Sequence, residues 1–431
     1  MLVLVSVTNP EIAPDQLDGL VTVLDLVRSG EARTRPELAR RSGLGRTVVT
    51  QRLGHLLASG LIEEGSLGPS TGGRAPRELR FRAGAGVVLV AELGARGMTV
   101  GLTDLAGELL DHRALDWDIA TGPDATLTRV EALFDELLVA HPAASVWGVG
   151  IGLPGPVEFV SGRPVAPPIM PGWDGHPVRR RLGARYSAPV WVDNDVNMMA
   201  LGEVRSGVAR DVQDIIFVKI GTGIGAGLVS QGRLHRGAQG CAGDIGHISL
   251  GGAVPGAAET VCRCGNTGCL EALAGGGALA RDATTAARDM RSGALADRLA
   301  EAGTLTGPDV VRAAEFGDPL AVELLQRSGA LVGETLAALV NFFNPAMILL
   351  GGSVGASGDL LLAAVRQAIY RRSLPLATRH LQIVRSSPCG QSGLRGAAFM
   401  VVDELFSRER LGHWIAEGTP IGSPDAIRLI S

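Results

Sequence analysis

Four potential metal ligands lie close together near the middle of the chain. His247 ends a Gly-Asp-Ile-Gly-His motif at residues 243–247, and three cysteines follow in the Cys-Arg-Cys-Gly-Asn-Thr-Gly-Cys run of residues 262–269. Thiolate and neutral imidazole are the ligands that closed, tetrahedral zinc sites use. The cysteines are spaced too tightly for a disulfide framework and would leave an odd thiol. The pattern therefore favours a zinc site over buried thiols beside a core histidine, with the ligands His247, Cys262, Cys264 and Cys269.

Two carboxylates flank this cluster. Asp244 lies three residues before His247, and Glu271 lies two residues after Cys269. A metal that fixes both ends of the loop also fixes both carboxylates, which can then accept hydrogen bonds from the hydroxyls of a polyol. A zinc ion with four protein ligands has no open position for water, so the predicted metal is structural rather than catalytic.

The two motifs together resemble the signature of the ROK family of repressors, open reading frames and kinases. The resemblance covers about residues 84–402 and implies a two-lobed, actin- or hexokinase-like α/β domain with structural zinc. It also implies that Asp244, His247 and Glu271 contact a sugar. The family usually has glutamate where this chain has Asp244, whose side chain is shorter by about 1.5 Å.

A second pair of polar side chains is expected at the sugar site. Asn194 and Asp195 follow a strand predicted at residues 190–192 and begin an apolar helix, a placement that suits a carboxylate facing a cleft. By the resemblance, Asp195 is the catalytic base of phosphoryl transfer if the chain is a kinase, and Asn194 is a sugar ligand. The alternative is that Asp193, Asn194 and Asp195 cap the helix, which does not exclude ligand binding.

Two glycine-containing loops stand where related folds bind the phosphates of ATP. The first has Glu-Leu-Gly-Ala-Arg at residues 92–96, whereas family kinases carry Asp-x-Gly-Gly-Thr. Gly94 is kept, but the second glycine and the hydroxyl are missing, and close backbone approach to phosphate needs glycine. The second loop, Gly221, Thr222 and Gly223, keeps the glycine spacing of a phosphate nest. The first loop therefore argues against ATP and Mg²⁺ as cofactors.

The N-terminal region predicts a winged helix-turn-helix. Apolar periodicity indicates a helix at residues 15–29, and Thr34 is placed to cap a second helix. A third helix runs from about Arg46 to Ser59, and a β-hairpin with its tip at residues 72–77 follows. Helices and hairpin in this order form a winged helix-turn-helix.

The third helix and the hairpin carry the candidate DNA contacts. The start and exposed face of such a helix reach base edges in the major groove, and a basic wing reaches phosphates or the minor groove. Residues 36–82 hold eight arginines and four glutamates, a positive excess within a chain of net charge −4. A winged helix used for protein contact is the alternative. The predicted contacts are Arg46, Thr47, Thr50, Gln51, Arg74 and Arg77.

The length of 431 residues suits two or three domains. We expect a DNA-binding domain at residues 1–83, a small lobe at 84–195 closed by a C-terminal helix at 393–431, and a large lobe with the zinc motif at 196–392. Gly84–Gly86 predicts a short linker between the first two of these units. The apolar start of the chain is too short for a signal peptide or a membrane span, and the few cysteines suit a reducing cytoplasm.

The sequence as a whole favours a sugar-responsive DNA-binding regulator, most simply a repressor of carbohydrate genes. Its expected partners are double-stranded operator DNA and a small sugar effector. A homodimer or tetramer is expected, because a single recognition helix reads too few bases for useful specificity. The alternative is an active ROK sugar kinase that phosphorylates a hexose with ATP and carries a DNA-binding domain.

Overall fold

The computed structural model describes residues 14–67, 77–252, 254–356, 358–387 and 391–421. Within these ranges, no helix is long and apolar enough to cross a membrane. The described chain forms an N-terminal module, a small lobe and a large lobe, and the winged helix-turn-helix and the α/β fold predicted from the sequence are both confirmed.

The N-terminal module consists of three helices and an antiparallel two-stranded sheet. Thr34 caps the second helix by accepting a hydrogen bond from the backbone N–H of Glu37 at 3.4 Å. The helix ends at Gly43, whose φ of 69° is readily adopted by glycine. The elements are α1 (Pro14–Arg28), α2 (Arg35–Ser42), α3 (Arg46–Ala58), β1 (Ile62–Leu67) and β2 (Arg77–Phe81).

The small lobe is built on a five-stranded sheet in the order β5-β4-β3-β6-β9. The interior strand β6 is almost entirely buried because helices cover both faces of the sheet. The elements are β3 (Val87–Leu93), β4 (Gly97–Asp104), β5 (Leu109–Asp116), α4 (Pro123–Ala140), β6 (Val146–Leu153), β7 (Val157–Glu158), β8 (Arg163–Pro164), α5 (Val178–Tyr186) and β9 (Val190–Asn194).

The large lobe has a second five-stranded sheet, in the order β12-β11-β10-β13-β14. Strands β10, β13 and β14 run parallel, as do β3, β6 and β9 of the first sheet, so each sheet collects several carboxyl ends at one edge. The elements are α6 (Asp195–Ser206), β10 (Ile215–Ile220), β11 (Ile224–Ser230), β12 (Arg233–His235), α7 (Leu270–Ala274), α8 (Gly276–Arg288), α9 (Gly293–Ala302), α10 (Gly307–Glu315), α11 (Pro319–Phe343), β13 (Met347–Gly351), α12 (Gly352–Gly355), α13 (Asp359–Arg372), α14 (Pro375–Thr378) and β14 (Gln382–Arg385).

Two C-terminal helices follow, α15 (Ser392–Leu405) and α16 (Arg408–Trp414). Helix α15 packs against β3 and β6 and crosses α6 at very short range. A Cβ atom at Gly396 would lie 1.8 Å from the carbonyl oxygen of Met198, so glycine is required at this crossing. The segment predicted to close the small lobe thus divides into a helix on the small lobe and a helix that packs on α1.

The N-terminal module shares its apolar core with the small lobe. Leu20 of α1 belongs to the same buried cluster as Trp147 of β6 and Trp414 of α16. The ring centroids of Trp147 and Trp414 are 5.5 Å apart, and those of Phe81 and Phe406 are 5.9 Å apart. The module is therefore held by aromatic packing across the junction.

The linker predicted at Gly84–Gly86 is instead part of this packed junction. Residues Ala83–Ala85 form a 3₁₀ turn, and a Cβ atom at Gly86 would lie 2.4 Å from the ring of Trp147. Arg28 of α1 also donates to the carboxylate of Asp403 in α15 at 2.8 Å. Gly86 is needed for this close packing, so the short connection predicted at Gly84–Gly86 is a packed segment between the two units.

Candidate functional site

A cleft of ≈ 950 Å³ opens between the two lobes, where the carboxyl ends of the parallel strands of both sheets meet. Such edges are the usual ligand-binding positions of α/β sheets. The cleft brings together the residues that the sequence proposed for the sugar site and the two phosphate loops. They are Gly94, Asn194, Asp195, Gly221, Thr222, Gly223, Asp244, His247 and Glu271.

The cluster of His247, Cys262, Cys264 and Cys269 lies beside the cleft, which His247 lines. Its ligand atoms all lie within 4.8 Å of one another. The distance between the Sγ atoms of Cys264 and Cys269 is 3.7 Å, and Cys262 Sγ lies 3.7 Å from His247 Nδ1. A tetrahedron with metal–sulfur bonds of about 2.3 Å has edges of about 3.8 Å. The donor set and its spacing therefore fit a tetrahedral metal site.

The cysteine loop folds back on itself through two glycines. Gly265 and Gly268 have φ values of 91° and 71°, a region that glycine adopts without strain. An isolated bridge pairs Ser249 with Cys269, and the backbone N–H of Leu250 donates to the carbonyl of Gly268 at 2.7 Å. The loop is thereby attached to the segment that carries His247.

His247 presents its two ring nitrogens to two different environments. Nδ1 faces the thiol of Cys262, whereas Nε2 lies 3.8 Å from Oδ1 of Asp244. A histidine can bind a metal through one nitrogen while the other makes a hydrogen bond. The metal role and the sugar role that the sequence assigned to this residue are therefore geometrically compatible.

Glu271 lies in the first turn of α7 and reaches into the cleft. Its Oε2 atom accepts a hydrogen bond from the backbone N–H of Ile224 at 3.1 Å, and burial raises the pKa of its carboxyl. A Cβ atom at Gly223 would lie 2.2 Å from the same oxygen. A side chain at position 223 would therefore displace the Glu271 carboxylate, whether or not a phosphate binds there.

Asn194 caps α6 and also lines the cleft. Its side-chain oxygen accepts from the backbone N–H of Val196 at 2.9 Å, and its amide donates to the carbonyl of Gly155 at 3.0 Å. Asp193 serves a structural purpose, because Arg236 and Asn197 donate to its carboxylate at 2.7 and 2.9 Å. The capping alternative is thus confirmed for Asn194, and it coexists with a position in the cleft.

Sequence reasoning assigned no role to Lys219, which pairs with Asp195 at the floor of the cleft. The side chains of the lysine and the aspartate are only 18% and 3% exposed. One signal was available in the sequence, since Lys219 is the only lysine among 40 Lys and Arg residues. Lys219 therefore adds a positively charged hydrogen-bond donor to a site at which the sequence predicted mainly hydrogen-bond acceptors.

Glu92 adds a second carboxylate to this floor. Burial raises the pKa of Glu92 to about 7; Lys219 opposes that shift and Asp195 adds to it. A Cβ atom at Gly393, in the first turn of α15, would lie 1.9 Å from Glu92 Oε2. The acid of the first phosphate loop therefore lies against a C-terminal helix as well as near the buried lysine.

The predicted DNA-contact residues of α3 form an exposed face. Arg46, Thr47, Thr50 and Gln51 are all exposed, whereas Arg52 of the same helix is buried and donates to Gln16 at 3.1 Å. On the wing, Arg77 is exposed and lies 3.8 Å from Glu64, and the predicted contact Arg74 and most of the hairpin tip lie outside the described residues.

The ROK family model matches residues 88–404, and the chain belongs to this family. The xylose repressor of Caldicellulosiruptor bescii is 27% identical over 390 residues, which cover 89% of this chain and 95% of the repressor. The crystal structure of a ROK family transcriptional regulator, a homologue of the Escherichia coli MLC protein, has a TM-score of 0.79 and 28% identity. This match covers 94% of this chain and all of the regulator.

A family kinase matches a smaller share of the chain. The structure of a ROK glucokinase from Streptomyces griseus, in complex with glucose and AMPPNP, has a TM-score of 0.64 and 29% identity. It covers 73% of this chain and 99% of the kinase. The regulator match covers 94% of this chain, which is more than residues 84–431 alone could supply. It therefore includes most of the winged-helix module.

Proposed function

We propose that this chain is a sugar-responsive DNA-binding transcriptional regulator of carbohydrate genes. The observation that carries the proposal is the likeness along nearly the whole chain to a ROK transcriptional regulator and to xylose repressors. An exposed recognition helix and an interlobe cleft lined by hydroxyl-binding groups supply the two sites that such a protein needs.

The effector in this proposal is a small sugar that binds in the cleft. Carboxylates accept hydrogen bonds from hydroxyls, and the Nε2 side of His247 can contribute a further polar contact. A zinc ion held by the three thiolates and Nδ1 would supply rigidity without a reactive position, because all four ligands are protein atoms. The sugar contacts are Asn194, Asp195, Asp244, His247 and Glu271.

The nucleic-acid partner in this proposal is double-stranded operator DNA bound by a homodimer. The four exposed residues of α3 would read base edges, and the wing arginines Arg74 and Arg77 would contact phosphates or the minor groove. Sugar binding would release the operator. Each small lobe carries one winged-helix module, so closing the clefts would change the spacing between the two modules of a dimer. The sugar can shift this equilibrium only by its differential affinity for the two states.

The kinase alternative is disfavoured by two features of the cleft. First, the first phosphate loop has Ala95 and Arg96 where a kinase needs a glycine for close backbone approach and a hydroxyl. Second, Lys219 forms an ion pair with Asp195, the expected catalytic base. In a regulator, Asp195 need only accept a hydrogen bond. A coupled assay with Mg-ATP and a hexose panel tests this directly.

Thermal shifts and DNA binding together test the proposal. A sugar that binds the folded protein raises its Tm by mass action, so a panel of neutral sugars identifies the effector. The same sugar should weaken binding to DNA from the promoter of the chain's own gene by roughly 5- to 150-fold. A panel without any thermal shift, or a bound sugar that leaves DNA binding unchanged, would contradict the sensor function.

Variants of the recognition helix test the DNA half. Arg46→Ala and Gln51→Ala should each weaken operator binding by about 1–3 kcal/mol if they contact bases. Arg77→Ala should instead reduce the salt dependence of binding. Arg288→Ala, at the exposed end of α8, is the matched control and should leave binding unchanged. Footprints that are identical for all four variants would exclude this mode of DNA recognition.

A further inference from the structure

Lys219 is the single lysine of a chain that otherwise uses arginine for its positive side chains. It stands near the end of β10, in the large-lobe sheet, and its ammonium pairs with Asp195 at the start of α6. The second carboxylate near it, Glu92, comes from the small-lobe sheet. Three charged groups from separate elements therefore meet at the floor of the cleft.

The sheet leaves room for this side chain on both sides. In the strand register, Lys219 lies opposite Gly225 of β11 and Gly351 of β13. Neighbouring residues in register share a face of the sheet, so the two glycines remove the side chains that would flank the lysine. The lysine lines the cleft together with Asp195 and Glu92.

The chemistry of an ammonium suits ligand binding at this point. An ammonium carries three N–H donors, and the described contacts assign one hydrogen bond from Nζ, to Oδ2 of Asp195. A guanidinium is larger and planar, and it favours bidentate pairing with a carboxylate, which would use more of its donors on Asp195. The lysine keeps donors available on the side of the cleft.

We propose that Lys219 binds the effector directly, and that the Lys219–Asp195 pair holds one sugar hydroxyl as donor and acceptor at once. A hydroxyl has one O–H to give and two lone pairs to receive, so it matches an ammonium beside a carboxylate. The inference rests on the proposed function, because it assumes that a sugar occupies the cleft. It also assigns the class of ligand at this position, an uncharged polyol group, since a phosphate here would face the carboxylates of Asp195 and Glu92.

The test compares a sugar with its monodeoxy derivatives in matched variants. The probe is whichever of D-xylose, D-glucose and N-acetyl-D-glucosamine gives the largest thermal shift in the wild-type protein. Isothermal titration then gives Kd for the parent sugar and each deoxy derivative with the wild type and Lys219→Met. Arg288→Met removes the same charge from an exposed site outside the cleft and serves as the control.

We expect Lys219→Met to weaken binding of the parent sugar by roughly 10- to 100-fold, as for a hydrogen bond to a charged group, and Arg288→Met to leave it unchanged. One deoxy derivative should bind the wild type more weakly by a similar or larger factor, and its disadvantage relative to the parent sugar should shrink in Lys219→Met, where only the hydrogen bond to Asp195 remains to be lost. Lys219→Gln serves the same comparison if the methionine variant does not fold. Equal loss for every derivative, or no loss at all, overturns the inference, whereas a wild type that binds no sugar overturns the proposed function instead.

Discussion

The two walls of the cleft differ in what holds their polar groups in place. On the large-lobe wall, Asp244 and Glu271 are attached to a loop closed by glycines, backbone bridges and four clustered side chains that could hold a metal ion. On the small-lobe wall, the loop after Glu92 has lost the glycine and hydroxyl of a phosphate site, and Glu92 itself faces Lys219 and the start of α15. Under the proposed function, the large-lobe wall carries the sugar contacts, whereas the first phosphate loop on the small-lobe wall departs from the sequence of the family kinases.

The small-lobe wall of the cleft adjoins α15, the helix that leads to the N-terminal module. Helix α15 begins beside Glu92 and carries Asp403 in its last turn, where Arg28 of α1 and Arg205 of α6 both donate to the carboxylate. Helix α6 in turn begins at Asp195. Two crossing helices therefore connect the floor of the cleft with the winged helix, which offers a physical route for coupling.

Removing a metal ligand should produce the largest effect, and it acts on the large-lobe wall. Cys264→Ser should release the metal and weaken sugar binding by roughly 10- to 100-fold, because Asp244 and Glu271 lose their common anchor. Metal content and titration calorimetry measure both quantities, with Cys389→Ser, outside the motif, as the control. Retained zinc together with a normal sugar isotherm would show that the metal does not hold this wall.

Cutting the link to the DNA-binding module should have an intermediate effect. Asp403→Asn should lower the coupling between sugar and operator by about 0.5–2 kcal/mol, with little change in sugar affinity measured without DNA. Linkage requires the reciprocal change, so sugar isotherms with and without operator report the same coupling. Glu409→Gln, an exposed change on α16, is the control. If Asp403→Asn leaves the coupling free energy unchanged, the sugar and DNA sites are not coupled through the contacts of Asp403.

A smaller effect is expected from pH on the small-lobe wall. Burial raises the pKa of Glu92 from 4.5 to about 7, so the folded protein binds more protons than the unfolded chain between these values. The free energy of unfolding attributable to Glu92 therefore falls as pH rises through this window. Glu92→Gln should raise Tm relative to wild type more at pH 8 than at pH 5. A Tm difference that is the same at both pH values would show that Glu92 ionises normally.

Restoring the phosphate loop alone should have the smallest effect. Ala95→Gly with Arg96→Thr should still give no detectable hexose phosphorylation, because Lys219 continues to occupy Asp195. The coupled assay with Mg-ATP measures this. Turnover in the double variant that Asp195→Asn abolishes would show that the small-lobe wall was the only barrier to kinase activity.

Features encoded by neighbouring residues could be predicted from the sequence. The candidate metal cluster falls within residues 247–269, so its spacing alone indicated which four side chains would meet. The winged helix followed from apolar periodicity and from local signals such as Thr34 at a helix start, which depend on contacts within a few residues. The predicted bounds of α1 and α3 agree with the structure to within one residue for the same reason.

Only the tertiary structure brought together residues that are distant in the chain. Glu92, Asp195 and Lys219 come from the ends of two strands and a helix, and no local pattern specifies that they meet. Gly86 looked like a linker because a glycine required for close packing has the same sequence signature as a glycine in a flexible segment. The packing partner that distinguishes the two cases, Trp147, is supplied by a strand some sixty residues away.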